Sequence, residues 1–154
     1  MASRFPGFDN PLAWMSDSSG FVAASFVWGN PGELVSWELI LFDGDGQPNA
    51  VMLSGLGNIH PKRPHFSPTD QYLAFMVGEE LHIVDMEAQT IIKTCITLPP
   101  RTPPLQQIAW SPTADQLALR YQETITVLDM DTGEFYAISD IPGEVVDWGL
   151  PTEP

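Results

Sequence analysis

The sequence predicts an all-β fold assembled from repeated units of four short antiparallel strands. Three observations carry that expectation. Fifteen Pro and twelve Gly punctuate 154 residues, which leaves no room for long helices, because Pro removes a helical hydrogen bond and Gly loosens the backbone. The apolar runs between these breaks are short and rich in β-branched and aromatic residues, as strands are. One stretch of the chain also repeats itself at a fixed spacing, the mark of a repeat architecture.

The runs follow one another at residues 21–27, 39–42, 50–53, 73–77, 81–84, 90–96, 117–121, 125–128 and 135–138. Each stops at a turn signal. Gly29-Asn30-Pro31-Gly32 follows the first run, Asp43-Gly44-Asp45-Gly46 the second and Gly78 the fourth, and each of these residue types favours a turn for its own backbone reason.

The repeat is read by laying His65-Phe66-Ser67-Pro68-Thr69 over Ala109-Trp110-Ser111-Pro112-Thr113. Leu73-Ala74 then falls on Leu117-Ala118, and Ile83-Val84-Asp85-Met86 on Val127-Leu128-Asp129-Met130. Phe66 to Asp85 and Trp110 to Asp129 both span 19 residues, so the period is 44 with no gap. A weaker copy starts at Trp14, with Phe21 at the same seven-residue offset and Leu41-Phe42-Asp43 closing it 29 residues on. The ten additional residues fall around 29–36 and are expected to form a loop insertion. Val145-Val146-Asp147-Trp148-Gly149 looks like the opening of a further copy.

Each copy divides into four strands, A to D, expected in the third copy at 107–110, 116–121, 124–129 and 134–139. Four antiparallel strands in about 44 residues make one blade of a β-propeller. Blades are expected at 10–54, 62–97 and 105–140, with an additional A-like strand at 144–150, in a single domain covering 1–154. Strands B and C are apolar on both faces, as blades stacked face to face require.

The pattern aromatic-Ser-Pro-x-x-x-x-Leu-Ala, followed by a hairpin ending in Asp, resembles the blade signature of TolB-like and WD-repeat β-propellers. It is carried by Phe66-Ser67-Pro68 with Leu73-Ala74, and by Trp110-Ser111-Pro112 with Leu117-Ala118. Val84 and Leu128 replace the Trp that precedes Asp in WD repeats, and the Gly-His dipeptide of those repeats is missing. The TolB-like side is the better match. The resemblance implies a fold and leaves function open, since propellers host enzymes, scaffolds and receptors alike.

Propellers close with roughly four to eight blades, so three blades are incomplete as a single chain and leave blade faces exposed. Large exposed apolar faces mark interaction surfaces. The expected function is therefore a non-catalytic protein–protein interaction module, completed by self-association or by a partner subunit in a homo-oligomer or hetero-complex. The alternative is an oligomeric propeller that binds or acts on a small molecule in its central funnel.

Two groups of residues are candidates for partner binding. Trp28 and Trp37 flank the insertion at 27–37, and insertions on one face of a repeat protein often carry binding. His60, Lys62, Arg63, His65 and Arg101 supply the basic and titratable groups of the D–A loops, whereas the A–B and C–D turns are acidic. Asp is favoured in turns for backbone reasons, which is the first reading of those acids; electrostatic recognition of a basic partner is the alternative. The Pro-rich stretch at 98–105 is expected to be a stiff linker.

Catalytic and metal chemistry finds no motif. Asp43-Gly44-Asp45-Gly46 resembles the front of a calcium loop, but Ser54 stands where an EF-hand needs its bidentate Glu. The histidines have no further zinc ligand at a recognised spacing. No nucleophile elbow, P-loop or His-Glu-x-x-His is present. No catalytic, cofactor-binding or metal-binding residue is expected, and no cofactor.

Charge narrows the partners further. Twenty acids face six Lys and Arg, for a net charge of −14, so no basic stripe is available to neutralise nucleic-acid phosphates or to meet an anionic membrane. No apolar run is long enough for a spanning helix, and the first residues carry no secretory h-region. The lone Cys95, in a β-like run, is expected to be a buried, inert thiol. A cytoplasmic protein is the expectation.

Overall fold

The computed structural model describes residues 12–30, 32–57, 59–99, 108–139 and 148. Among them the fold is all-β, with twelve strands in three four-stranded antiparallel sheets and none closed into a barrel. This is the architecture of an incomplete propeller segment. The first sheet is β1 (Leu12–Trp14), β2 (Gly20–Trp28), β3 (Leu34–Asp43) and β4 (Pro48–Leu56), hydrogen-bonded in chain order. The second is β5 (Pro61–Phe66), β6 (Tyr72–Val77), β7 (Glu80–Asp85) and β8 (Thr90–Thr97), and the third β9 (Ile108–Trp110), β10 (Gln116–Tyr121), β11 (Thr124–Asp129) and β12 (Phe135–Ser139).

The 44-residue period of the sequence is also the period of the strands. β10 and β11 begin and end 44 residues after β6 and β7. The turn after each first strand is built alike, with the N–H groups of Met15, Ser67 and Ser111 donating to the carbonyls of Gly20, Tyr72 and Gln116 at 3.0, 2.8 and 2.8 Å. Registers agree as well. Trp14 faces Phe21, which faces Phe42, and at the matching positions Trp110 faces Leu117, which faces Leu128.

The chain divides into two compact units, Met1–Pro64 with Phe75–Gly78 and His65–Ala74 with Glu79–Pro154. In the first unit Val22 and Leu39 are fully buried, and Trp37 fills the space left by Gly55, where an added Cβ would stand 2.4 Å from the indole. In the second, Leu73, Leu81, Ile83, Leu117 and Leu119 are buried almost completely. Burying a side chain of that size stabilises a fold by about 1.5–3 kcal/mol, and both faces of the middle strands contribute.

Three local expectations change. The insertion around 29–36 is loop only up to Glu33, because β3 already begins at Leu34 and β2 and β3 run on as a paired hairpin, Phe26 facing Trp37 and Val27 facing Ser36, with a register shift before Trp28. Only the tip is turn, closed by Gly29 N–H to the Glu33 carbonyl at 2.8 Å. The stretch His60 to His65 is strand from Pro61 onward rather than loop. Cys95 is exposed, not buried. A register shift between Glu80 and His82 displaces β8 there, Cys95 takes a φ of 56°, and Thr94 Oγ1 bonds the Leu81 carbonyl at 2.8 Å. A bulge of this kind re-aims the side chain that follows it. The expected strand at 144–150, except for Trp148, and the Pro-rich stretch after Pro99 lie outside the described residues.

Candidate interaction site

Alternation along a strand gives every sheet two faces. In the third sheet, Ile108, Trp110, Leu117, Leu119 and Leu128 share the face turned to the second sheet, here the leading face. Ile108 is 3% exposed and Leu117 fully buried. Three contacts fix this stacking. Trp110 Nε1–H donates to the His65 carbonyl at 2.9 Å. The Trp110 ring stacks near Tyr72 with centroids 6.4 Å apart. The Thr69 hydroxyl donates to the carboxylate of Asp115, 2.7 and 2.8 Å from its two oxygens.

The first sheet carries the same face in another state. Leu12, Trp14, Phe21, Ala23, Ile40 and Phe42 occupy the matching register positions, yet none is buried, with Trp14 54% and Leu12 39% exposed. Trp14, Phe21 and Phe42 pack into one aromatic row, with centroids 4.7 and 4.9 Å apart. Among the described residues the Trp14 indole N–H has no hydrogen-bond partner, whereas that of Trp110 is held by a carbonyl. Sequence reasoning saw that faces would be left open. It did not single out Trp14, although aligning the first copy of the repeat with the third already placed Trp14 on Trp110.

The residues expected to bind a partner are dispersed. Trp28 is 42% exposed near the hairpin tip, 6.4 Å from the ring of Phe26. Trp37 is 3% exposed and packs on Gly55. His60 meets Phe26 edge to face at 5.4 Å. Lys62 and Arg63 are half-buried on β5, where Arg63 takes a φ of 52°, and His65 is exposed while its carbonyl receives Trp110. Arg101 lies outside the described residues.

The acidic turns are occupied by their own backbone. Asp43 Oδ1 accepts the N–H groups of Asp45 and Gln47 at 3.0 and 2.8 Å, and Asp129 Oδ1 those of Asp131 and Thr132 at 3.1 and 3.0 Å. No group of three His, Cys, Asp or Glu is placed to hold a metal ion among the described residues. A cleft of about 540 Å³ opens along β8 and β12, lined by Ile92, Ile96, Tyr121, Leu128 and Phe135 among others. It is more apolar than polar and lies at the outer strands, away from the A strands that would line a funnel. No family model matches the chain, and no curated protein does.

Proposed function

We propose that the chain is a segment of a TolB-like β-propeller that serves as a non-catalytic protein–protein interaction module, completed by another protein chain. One observation carries this reading: the face that is covered in the third sheet is bare at the same register positions in the first. Trp14 and Leu12 stand exposed where Trp110 and Ile108 are packed. An aromatic row whose N–H donor has no partner among the described residues is suited to an interface, since Trp combines large apolar area with one directional bond.

A photo-reactive residue substituted at Trp14 tests the reading in cells that make the full chain. A covalent protein adduct at position 14, self included, is expected, with none from the same residue placed at the exposed outer-strand position Ser54. Absence of any protein adduct at position 14 overturns the proposal.

A further inference from the structure

Two tryptophans make the same bond to carbonyls one repeat apart. Trp110 Nε1–H donates to the carbonyl of His65 at 2.9 Å, and Trp148 Nε1–H donates to the carbonyl of Ala109 at 2.8 Å. His65 and Ala109 correspond in the 44-residue period, each standing one residue before the aromatic that ends its strand A. Trp148 therefore takes, on the third sheet, the place that the following sheet's tryptophan takes on the second. It packs with Ile125 over the buried Ala109, Ala118 and Val127. That side of the third sheet, its trailing face, is where a further blade would stack.

Arg120 marks this face as different from its counterpart. Alternation along β10 puts Arg120 on the side of Ala118, opposite Ile125 in the ladder. One repeat earlier the position holds Met76, and both residues are 7% exposed. Arg120 Nη2 donates to Glu123, but Nε and Nη1 are buried with no hydrogen-bond partner among the described residues. A buried guanidinium costs far more than a thioether unless its N–H groups are paired. Its chemistry calls for a second carboxylate arriving from whatever stacks there.

The leading face of the first sheet offers both parts. Trp14 is the unlatched equivalent of Trp110, and Glu38, exposed and opposite Ser25, lies on the same face. Ser25 stands eleven residues past Trp14 and Arg120 ten past Trp110, so the two charges lie at matching heights along stacked strands.

We propose that the trailing face of the third sheet, capped by the chain's own Trp148, is the docking site for the first sheet of a second copy, whose Trp14 replaces Trp148 on the Ala109 carbonyl and whose Glu38 faces Arg120. This rests on the interaction-module reading and names its partner. Trp148 then acts as an internal competitor: only the uncapped fraction of the chain binds, so the apparent affinity falls by that fraction. The −14 charge on each copy opposes approach and is screened by salt.

The test is solution mass by light scattering over a concentration series at moderate salt, with circular dichroism to verify folding. Trp148→Ala is expected to associate at least about tenfold more tightly than the unaltered chain, reaching twice the 17.0 kDa chain mass or a higher multiple. Trp148→Phe, which keeps the packing and removes the N–H donor, moves in the same direction and serves if the Ala variant does not fold. Adding Trp14→Ser or Glu38→Arg to either returns the monomer. A folded Trp148 variant that stays monomeric throughout overturns the proposal, as does an assembly that survives Trp14→Ser. A monomeric result beside a foreign protein adduct at position 14 defeats the second copy alone, whereas no adduct of any kind defeats the module reading as well.

Discussion

Asp43, Asp85 and Asp129 each end the third strand of a sheet, and each carboxylate accepts N–H groups from the turn that follows. Asp129 does more, accepting the Gln116 side-chain amide at 2.7 Å through Oδ2. That bond, followed by the Thr132 backbone N–H, favours the charged form and holds the pKa below its ordinary value of 3.8. A group whose folded pKa is depressed stabilises the fold above its unfolded value and loses that contribution as pH falls through the folded value. Asp129→Asn keeps the Oδ1 acceptor and removes the charge. It is expected to lower the urea midpoint at neutral pH, with the gap to the unaltered chain closing below pH 3.8; an equal gap in both ranges contradicts this. The turn role of these residues was legible because Asp at the end of a strand, able to bond the backbone of the turn that follows, has a backbone reason to be there. The exposure of Cys95 was not, because it follows from a slipped register between β7 and β8, and no local residue type announces a bulge of that kind.

Strands B and C were legible almost to the residue, since a 44-residue period aligns two copies and each supports the other's boundaries. The hairpin of β2 and β3 was less so. Gly29, Asn30 and Gly32 read as loop and lie between the strands, but pairing extends past Val27 to Trp28 and Leu34 because Trp37 has Gly55 to pack on, a contact between strands that sequence order hides. The link between the second and third sheets was equally hidden. Thr69 lies in one A–B turn and Asp115 in the next, 46 residues apart, and Asp115 is 7% exposed. A hydrogen bond to a buried carboxylate stabilises by more than a neutral surface pair. Thr69→Val and Asp115→Ala, alone and combined, are expected to show a coupling of about 1 kcal/mol in a double-mutant cycle of urea unfolding. Strict additivity would mean that the hydroxyl and carboxylate do not hold the two sheets together.

For the molecule as a whole, the repeat was enough to foresee three four-stranded sheets with faces left over, since three blades are too few to close a ring. What covers those faces was not legible, because equivalence between Trp14, Trp110 and Trp148 becomes informative only once the carbonyl each one meets, or lacks, is known. Hydroxyl-radical footprinting of the tryptophans in dilute purified protein reads this most directly. The account predicts that Trp14 is oxidised much faster than Trp110, and that Trp14 becomes protected as concentration rises or a partner binds. Equal protection of Trp14 and Trp110 in dilute solution would contradict it, because the first sheet would then have no open face to offer.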